Sequence, residues 1–499
     1  MLHLRRSLFI TFFSTNSATL LQFGVTVILS RLLTPGEVGI FSITSVIIGI
    51  AAVFRDFGVS NYLQQEKSLT PEKIRSALGL IITTSWILAA FVYFASDYVA
   101  AYYGQPGVGQ VMRVLTISFV LVPFASFFYA ILSRDLRADK QAVVNVVSAI
   151  VYATTCITLA YQGFSYMALA WANVANISIT ILLYILMRPR GIQYIPSFHG
   201  WKKPLKFGSG SILGNLINQA HSSIPDLMLG KMSGPHNVGL YSRANGLVGL
   251  FNQIAGPTIH YSALPYIANN HHQNASLGPL LAKATSFLTG FAWPAFIFTA
   301  LFPQEIIKIL YGESWLDAAP LVTILCIAGA GRISYSLCAP ALTAIGRPSL
   351  SAISFGVATI ARIGLIFLFG ANDIWTFAMA LCIADIITLP VPAILMSRYL
   401  GYSMRMSLSS HIGSLKVAAT CLLTLGILKA TMPAEWADIS KLILAVISLM
   451  ITWFLSIIYF RHPIKNEFPL LIQRVFPNKL AGHLNNLLNR ENTDASQTS

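Results

Sequence analysis

Charge is what this sequence of 499 residues is poorest in: Asp, Glu, Lys and Arg together make up 10% of it, against about a quarter in a soluble domain. With 55% hydrophobic residues and a mean hydropathy of +0.66, the chain has too little polar surface to stay in water, and a soluble globular class is excluded. Cysteine is scarce as well. Cys156, Cys326, Cys338, Cys382 and Cys421 all lie in apolar segments and none belongs to a C-x-x-C pair, so they read as small packing residues rather than disulfide partners or metal ligands. His271 and His272 adjoin in a loop with His260 some way before, but no Cys or acid stands near them, and a metal site is not expected. No G-x-x-x-x-G-K-[ST] loop occurs, which removes direct drive by a nucleotide. No cofactor is expected beyond a coupling H⁺ or Na⁺.

Long apolar runs are plentiful. At about 20 residues per crossing, spans are expected near 8–30, 38–57, 76–96, 111–132, 142–162, 165–187, 208–230, 238–260, 282–302, 318–340, 350–370, 374–396, 410–430 and 440–460. The first is longer than the ~7–15-residue core of a signal peptide and no small-x-small cleavage site follows it, so it is expected to persist as a span. The fold class is therefore all-α: a polytopic membrane protein of about 14 helices. The sequence also repeats itself. Leu29, Arg31, Val38, Gly39, Ile40, Phe41 and Ser42 correspond to Leu229, Lys231, Val238, Gly239, Leu240, Tyr241 and Ser242 at a constant offset of 200, across the turns Thr34-Pro35-Gly36 and Ser233-Gly234-Pro235. Six spans per half is an even number, so the halves form a parallel pseudo-repeat, a mark of transporters whose site lies where the halves meet. The expected divisions are an N-lobe (1–190), an amphipathic cytoplasmic linker (191–207) containing Trp201-Lys202-Lys203, a C-lobe (208–400), two further spans (401–462) and a tail (463–499).

Cations orient the spans. Arg5 and Arg6, Lys67, Lys73 and Arg75, Arg134, Arg137 and Lys140, Arg188 to Lys206, Arg347, Arg398 and Arg405, and the tail all fall on one side, while Glu37, Asp97, Glu305, Glu313, Asp317, Asp373, Glu435 and Asp438 gather on the other. The positive-inside rule then makes both termini cytoplasmic. The net charge of +15 is a topology signal and a contact for anionic lipid, not a nucleic-acid footprint.

Ionisable groups at bilayer depth are costly and need a reason. Arg332, Arg362 and Asp385 fall near mid-membrane on spans ten, eleven and twelve; Asp226 and Arg243 lie toward the outer ends of spans seven and eight; Arg55-Asp56 closes span two at its inner end. Two readings stand side by side. In one, a cationic cavity receives an anionic substrate and the acids carry a coupling ion. In the other, Arg362 with Asp385, or Asp226 with Arg243, are buried interhelical pairs that fix packing, and Arg55 snorkels to the interface. The first lobe has no charge at depth. Aromatic residues such as Phe124, Phe127, Phe128 and Tyr129 read as packing, although a cavity lined by such rings would suit pyranoses. Prolines within spans (Pro123, Pro225, Pro257, Pro294, Pro340, Pro390, Pro392) are natural pivots.

Several blocks in order, Arg31-Leu-Leu-Thr-Pro-Gly-Glu-Val-Gly-Ile-Phe-Ser42, Asp56-Phe-Gly58, Lys206-Phe-Gly208, Gly239-Leu-Tyr-Ser-Arg-Ala244, Leu310-Tyr-Gly-Glu-Ser-Trp315, Ala318-Ala-Pro-Leu321 and Ala344-Ile-Gly-Arg-Pro348, resemble the polysaccharide-transport (Wzx-type) flippases of the multidrug/oligosaccharidyl-lipid/polysaccharide superfamily, most of all their colanic-acid/exopolysaccharide exporter branch. The resemblance implies a two-lobed fold of twelve core helices plus two. It also implies movement of polyprenyl-pyrophosphate-linked oligosaccharide to the periplasmic leaflet of a bacterial inner membrane, by alternating access coupled to an ion gradient. It further implies a cationic cavity, for which Arg243, Arg332 and Arg362 are the candidates, and work alongside polysaccharide polymerase or export components. A drug/cation antiporter would carry acids at membrane depth in its first lobe, and a polymerase or ligase would need catalytic groups on a large outer loop; both features are missing.

Overall fold

Thr34-Pro35-Gly36-Glu37 contains the signals of a helix start. In a computed structural model of the chain, the Thr34 N–H donates to Glu37 Oε2 at 2.7 Å and the Glu37 N–H to Thr34 Oγ1 at 3.4 Å, a reciprocal capping box. Pro35 supplies the φ suited to a first helical position. Helix α2 (Pro35–Asp56) thus follows α1 (Leu2–Leu32) almost at once. In the second copy only Ser233 separates α7 (Lys202–Met232) from α8 (Gly234–Thr258), and Gly234 adopts a φ of 80°, where a Cβ would be strained.

The structure describes residues 2–56, 59, 63, 66, 70–134, 138–187, 195–258, 276–370 and 373–467, with no strand among them. The first half continues with α3 (Pro71–Tyr103), α4 (Pro106–Arg134), α5 (Ala138–Tyr161) and α6 (Met167–Leu186). The second half continues with α9 (Gly278–Leu301), the short α10 (Pro303–Leu310), α11 (Ala319–Ser334), α12 (Cys338–Ala344), α13 (Pro348–Phe369), α14 (Ile374–Thr388) and α15 (Pro390–Leu400). In the first half α1 packs on α5, α5 on α6, α4 on α6 and α3 on α4; in the second, α7 packs on α13, α13 on α14, α11 on α14 and α9 on α11. The pairing order is therefore duplicated along with the motif. Helices α16 (Met404–Thr431) and α17 (Asp438–Tyr459) lie outside this duplicated pairing and dock on α9.

Among the described residues eleven segments are long and apolar enough to cross a membrane, three fewer than expected. The other three, α1, α7 and α8, have the length (31, 31 and 25 residues) but carry polar runs such as Asn218-Gln219-Ala220-His221-Ser222-Ser223 and Ser242-Arg243-Ala244-Asn245. Helix α8 packs against α1, α7 and α2, and α7 against α2 as well, where the lobes meet, so less of their surface has to satisfy lipid.

Two expected spans are interrupted. Span ten stops at Ser334 and resumes at Cys338, with Tyr335, Ser336 and Cys338 N–H groups bonded three residues back. Pro340 has no N–H, and its ring crowds the carbonyl four residues earlier. Span twelve breaks at Leu389, just before Pro390 and Pro392. Pro123, Pro225 and Pro294 sit inside unbroken helices instead.

The expected linker is partly helix: Lys202 and Lys203 open α7, so that helix begins ahead of 208. The preceding stretch is fastened to α3. The Ser197 N–H donates to Arg75 O (2.9 Å), Ser76 Oγ to His199 O (2.7 Å) and Arg75 Nε to Ile195 O (3.1 Å). Lys67, Arg137, residues 188–194, residues 259–275 with His260, His271 and His272, and the tail beyond 467 lie outside the described residues.

The duplicated motif meets itself. A Cβ on Gly39 would collide with the Pro235 carbonyl, and one on Gly239 with the Pro35 carbonyl; Ser42 Oγ donates to Ser242 Oγ at 3.2 Å. Beside this seam, Arg31 Nη2 donates to Lys308 O (3.2 Å) and Ile309 O (2.6 Å), at the end of α10. Its counterpart Lys231 reaches Tyr102 O (2.5 Å), at the end of α3. Cations at helix C-termini are favoured by the partial negative charge there. Both lobes are thus latched together at the end carrying the α1–α2 and α7–α8 turns.

Candidate substrate site

Asp385 on α14 is 5% exposed and accepts two hydrogen bonds from Arg362 of α13, from Nε at 2.8 Å and Nη2 at 3.1 Å. This is a bidentate pair of the strong, geometrically specific kind. The remaining Arg362 nitrogen, Nη1, donates to His221 O on α7 at 2.8 Å. Three helices are tied at one point, and the pair is buried deeply enough that removing either partner would leave an uncompensated charge.

Arg332 makes the cluster more than a strut. Its Nη1 lies 3.6 Å from Asp385 Oδ2, and its side chain is 33% exposed. Two guanidiniums share one carboxylate, so the cluster keeps one positive charge, and the accessible one is Arg332. It occupies the last turn of α11, directly before the break that Pro340 enforces. A cavity of about 260 Å³ opens there, lined by Arg332 and Asp385 together with His221, Asn252, Tyr335, Ser336, Thr388 and Leu389. Both helix breaks border it, which fits the rule that irregular backbone at membrane depth is tolerated where it lines a cavity. His221 Nδ1 lies 3.3 Å from Thr359 Oγ1, and its ring packs at 5.4 Å from that of Phe355.

An apolar groove of about 520 Å³ lies alongside, between α9, α11 and α16, walled by Trp293, Phe296, Ile297, Leu415 and Ala418. Tyr335 and Leu389 belong to both walls. A positively charged chamber and an apolar slot are thus adjacent.

The other candidates lie elsewhere. Arg243 is half-buried at the lobe seam, where its Nε donates to Ser30 Oγ at 2.8 Å and its guanidinium sits 5.3 Å from the Trp315 ring centroid; Trp315 Nε1 in turn donates to Ser30 O at 2.7 Å. It does not pair with Asp226, which is half-buried on α7 behind Pro225 and has no ion-pair partner among the described residues. Arg55 lies at the far end of α2 from the seam, with its guanidinium 5.1 Å from the Phe119 ring centroid. Arg332, Arg362 and Asp385 are therefore brought together, whereas Arg243, Asp226 and Arg55 are separate from them. Sequence reasoning missed His221, Asn252 and Tyr335. Their signal was the polarity of α7 and α8, which a search for charge overlooks. All five cysteines are buried and free, and Phe127 and Phe128 pack in the first-lobe core with Tyr184.

Residues 28–320, more than half of the chain, match the family model described as polysaccharide biosynthesis protein. The chain belongs to this family. Relatives of this polysaccharide biosynthesis protein include the teichuronic acid biosynthesis protein TuaB of Bacillus subtilis, 22% identical over 81% of this chain and 84% of that one. Another is the succinoglycan biosynthesis transport protein ExoT of Rhizobium meliloti, 21% identical over 74% of this chain and 75% of that one. Among solved structures, the lipid II flippase MurJ in an inward closed conformation superposes with a TM-score of 0.73 at 15% identity, covering 91% of this chain and 100% of that one. The shared feature is the fold: a multi-pass helical membrane protein.

Proposed function

We propose that this protein flips polyprenyl-pyrophosphate-linked oligosaccharide repeat units from the cytoplasmic to the periplasmic leaflet of a bacterial inner membrane, supplying exopolysaccharide, capsule or O-antigen assembly. The observation that carries the reading is the spare charge of Arg332 in a cavity that shares a wall with an apolar groove. A polyprenyl pyrophosphate is an anion joined to a long apolar tail. Guanidinium is permanently charged and binds phosphate oxygens in pairs, and the groove provides apolar surface for the tail near the headgroup. The names of MurJ, a lipid II flippase, and ExoT, a transport protein for succinoglycan biosynthesis, support the same direction. In this reading the protein is a transporter and not an enzyme.

With both termini cytoplasmic, the seam at Gly39 and Gly239 closes the periplasmic side, and transport requires it to part. Arg31 and Lys231 would then release the helix ends they hold. The driving force is an H⁺ or Na⁺ gradient. Asp226, which no guanidinium among the described residues neutralises, suits ion coupling better than Asp385, which is held by two. A polymerase or export complex takes the product.

The test is the sidedness of lipid-linked oligosaccharide in a strain lacking the protein, probed with an external glycosidase on spheroplasts. Accumulated, protected material supports the flippase; accessible material returns a polymerase or ligase role; no accumulation favours the antiporter.

A further inference from the structure

The first lobe holds a cleft that the anion site does not use. It measures about 490 Å³, within the ~300–1,000 Å³ of small-molecule pockets, and lies between α1, α2, α5 and α6. Among the described residues no charged one lines it. Gln22 projects from α1, Asn145 and Tyr152 from one face of α5, and Asn173 and Asn176 from one face of α6, the last four at helical spacing. The side-chain amides of Gln22, Asn145 and Asn173 make no hydrogen bond to any described residue. Asn176 Nδ2 donates to a backbone carbonyl at 2.9 Å, which leaves its oxygen available. Ser45 Oγ, also in the wall, is buried without a hydrogen-bond partner among the described residues.

Polar groups at membrane depth are retained at a cost and call for something polar to meet them. An amide offers donors and an acceptor together, which matches hydroxyl and acetamido groups that also do both. A charged ligand would call for a countercharge, and the lining has none. The Tyr152 ring adds a flat apolar face with a polar tip, a complement to the C–H face of a pyranose.

We propose that this cleft is a carbohydrate subsite that takes neutral sugar rings of the transported repeat unit while its pyrophosphate is held at Arg332. The proposal rests on the flippase reading and divides the substrate between lobes: the anion on the second, the sugars on the first.

Binding to the full-length protein in nanodiscs tests it, with two probes: bare undecaprenyl pyrophosphate, and the oligosaccharide-bearing lipid extracted from the deletion strain. The unsubstituted protein should prefer the oligosaccharide form at least ten-fold. Asn145→Leu combined with Asn173→Leu should abolish that preference and leave bare-lipid binding unchanged; Asn173→Ala alone, checked by thermal unfolding, should give a partial loss and serves if the double variant misfolds. Equal loss for both probes, or no loss for either, overturns the subsite. An unsubstituted protein that binds both probes alike also overturns it while sparing the flippase reading, and one that binds neither removes both.

Discussion

The two lobes share one helix-pairing scheme but satisfy their polar interiors differently. The second lobe concentrates ions: Arg332, Arg362 and Asp385 meet beside two proline-broken spans. The first has no such cluster among its described residues; its helix α4 continues past Pro123, and the polarity of its cleft is amide and hydroxyl. Permanent charge at depth must be paired or face water, and the broken segments open the space in which Arg332 can do so. Uncharged amides demand less. Duplication therefore supplied one scaffold, and the halves diverged in what their cavities attract.

The largest expected effect bears on what the lobes still share. Ser42→Cys with Ser242→Cys, whose hydroxyl oxygens start 3.2 Å apart, should form a disulfide that stops transport completely, with recovery on reduction. Transport that continues through the oxidised form would mean the seam never opens. Next, Arg332→Ala should lower flipping about a hundred-fold, the scale of losing a buried charge-assisted contact, with normal membrane insertion and partial recovery in Arg332→Lys. Flipping that is preserved would erase the ionic distinction between the lobes. Third, Arg362→Met should destabilise the protein by about 3–5 kcal/mol in thermal unfolding, because Asp385 loses its bidentate partner, whereas Arg362→Met with Asp385→Leu should recover most of that. Similar instability in both would point to packing rather than charge.

The smallest effect concerns the extra helices that only the second lobe carries. His462 follows α17 and is 1% exposed. Its Nε2 lies 3.1 Å from the hydroxyls of both Ser286 and Ser414, beside Gly290 and Gly413. Burial pushes its pKa down to about 4 from the usual 6.5. Between those values the unfolded chain binds a proton that the folded one refuses, so stability falls as the pH drops from 6.5 toward 4, by at most about 3 kcal/mol. Thermal unfolding at pH 7 and pH 5 should show the loss, and His462→Asn should flatten it.

Much of this was legible in the sequence, for identifiable reasons. Arg332, Arg362 and Asp385 stood out because ions are rare in spans, and the repeat stood out because its offset is constant. That Arg332 keeps a free charge while Arg362 does not depends on where α11 ends, and a sliding count of apolar residues runs straight through Tyr335 and Leu389. His221 of α7, Asn252 of α8 and the amides of α5 and α6 add nothing to a count of acids, lysines and arginines and so drew no notice. The contact of Gly39 with Pro235 and of Gly239 with Pro35 leaves no periodicity in a linear reading, since it arises only when the halves face each other.

That reciprocal contact has an evolutionary corollary. Residue 39 touches 235 while 239 touches 35, the exchange rule of an isologous interface between identical subunits, here enclosed within one polypeptide. A half-length ancestor with one copy of the motif and six spans would have closed the same seam by pairing with its twin in the same orientation. Fusion removed the need for two identical copies to find each other. It left Gly39 and Gly239 as two loci for what had been one, so a bulky change at either is now felt once instead of twice.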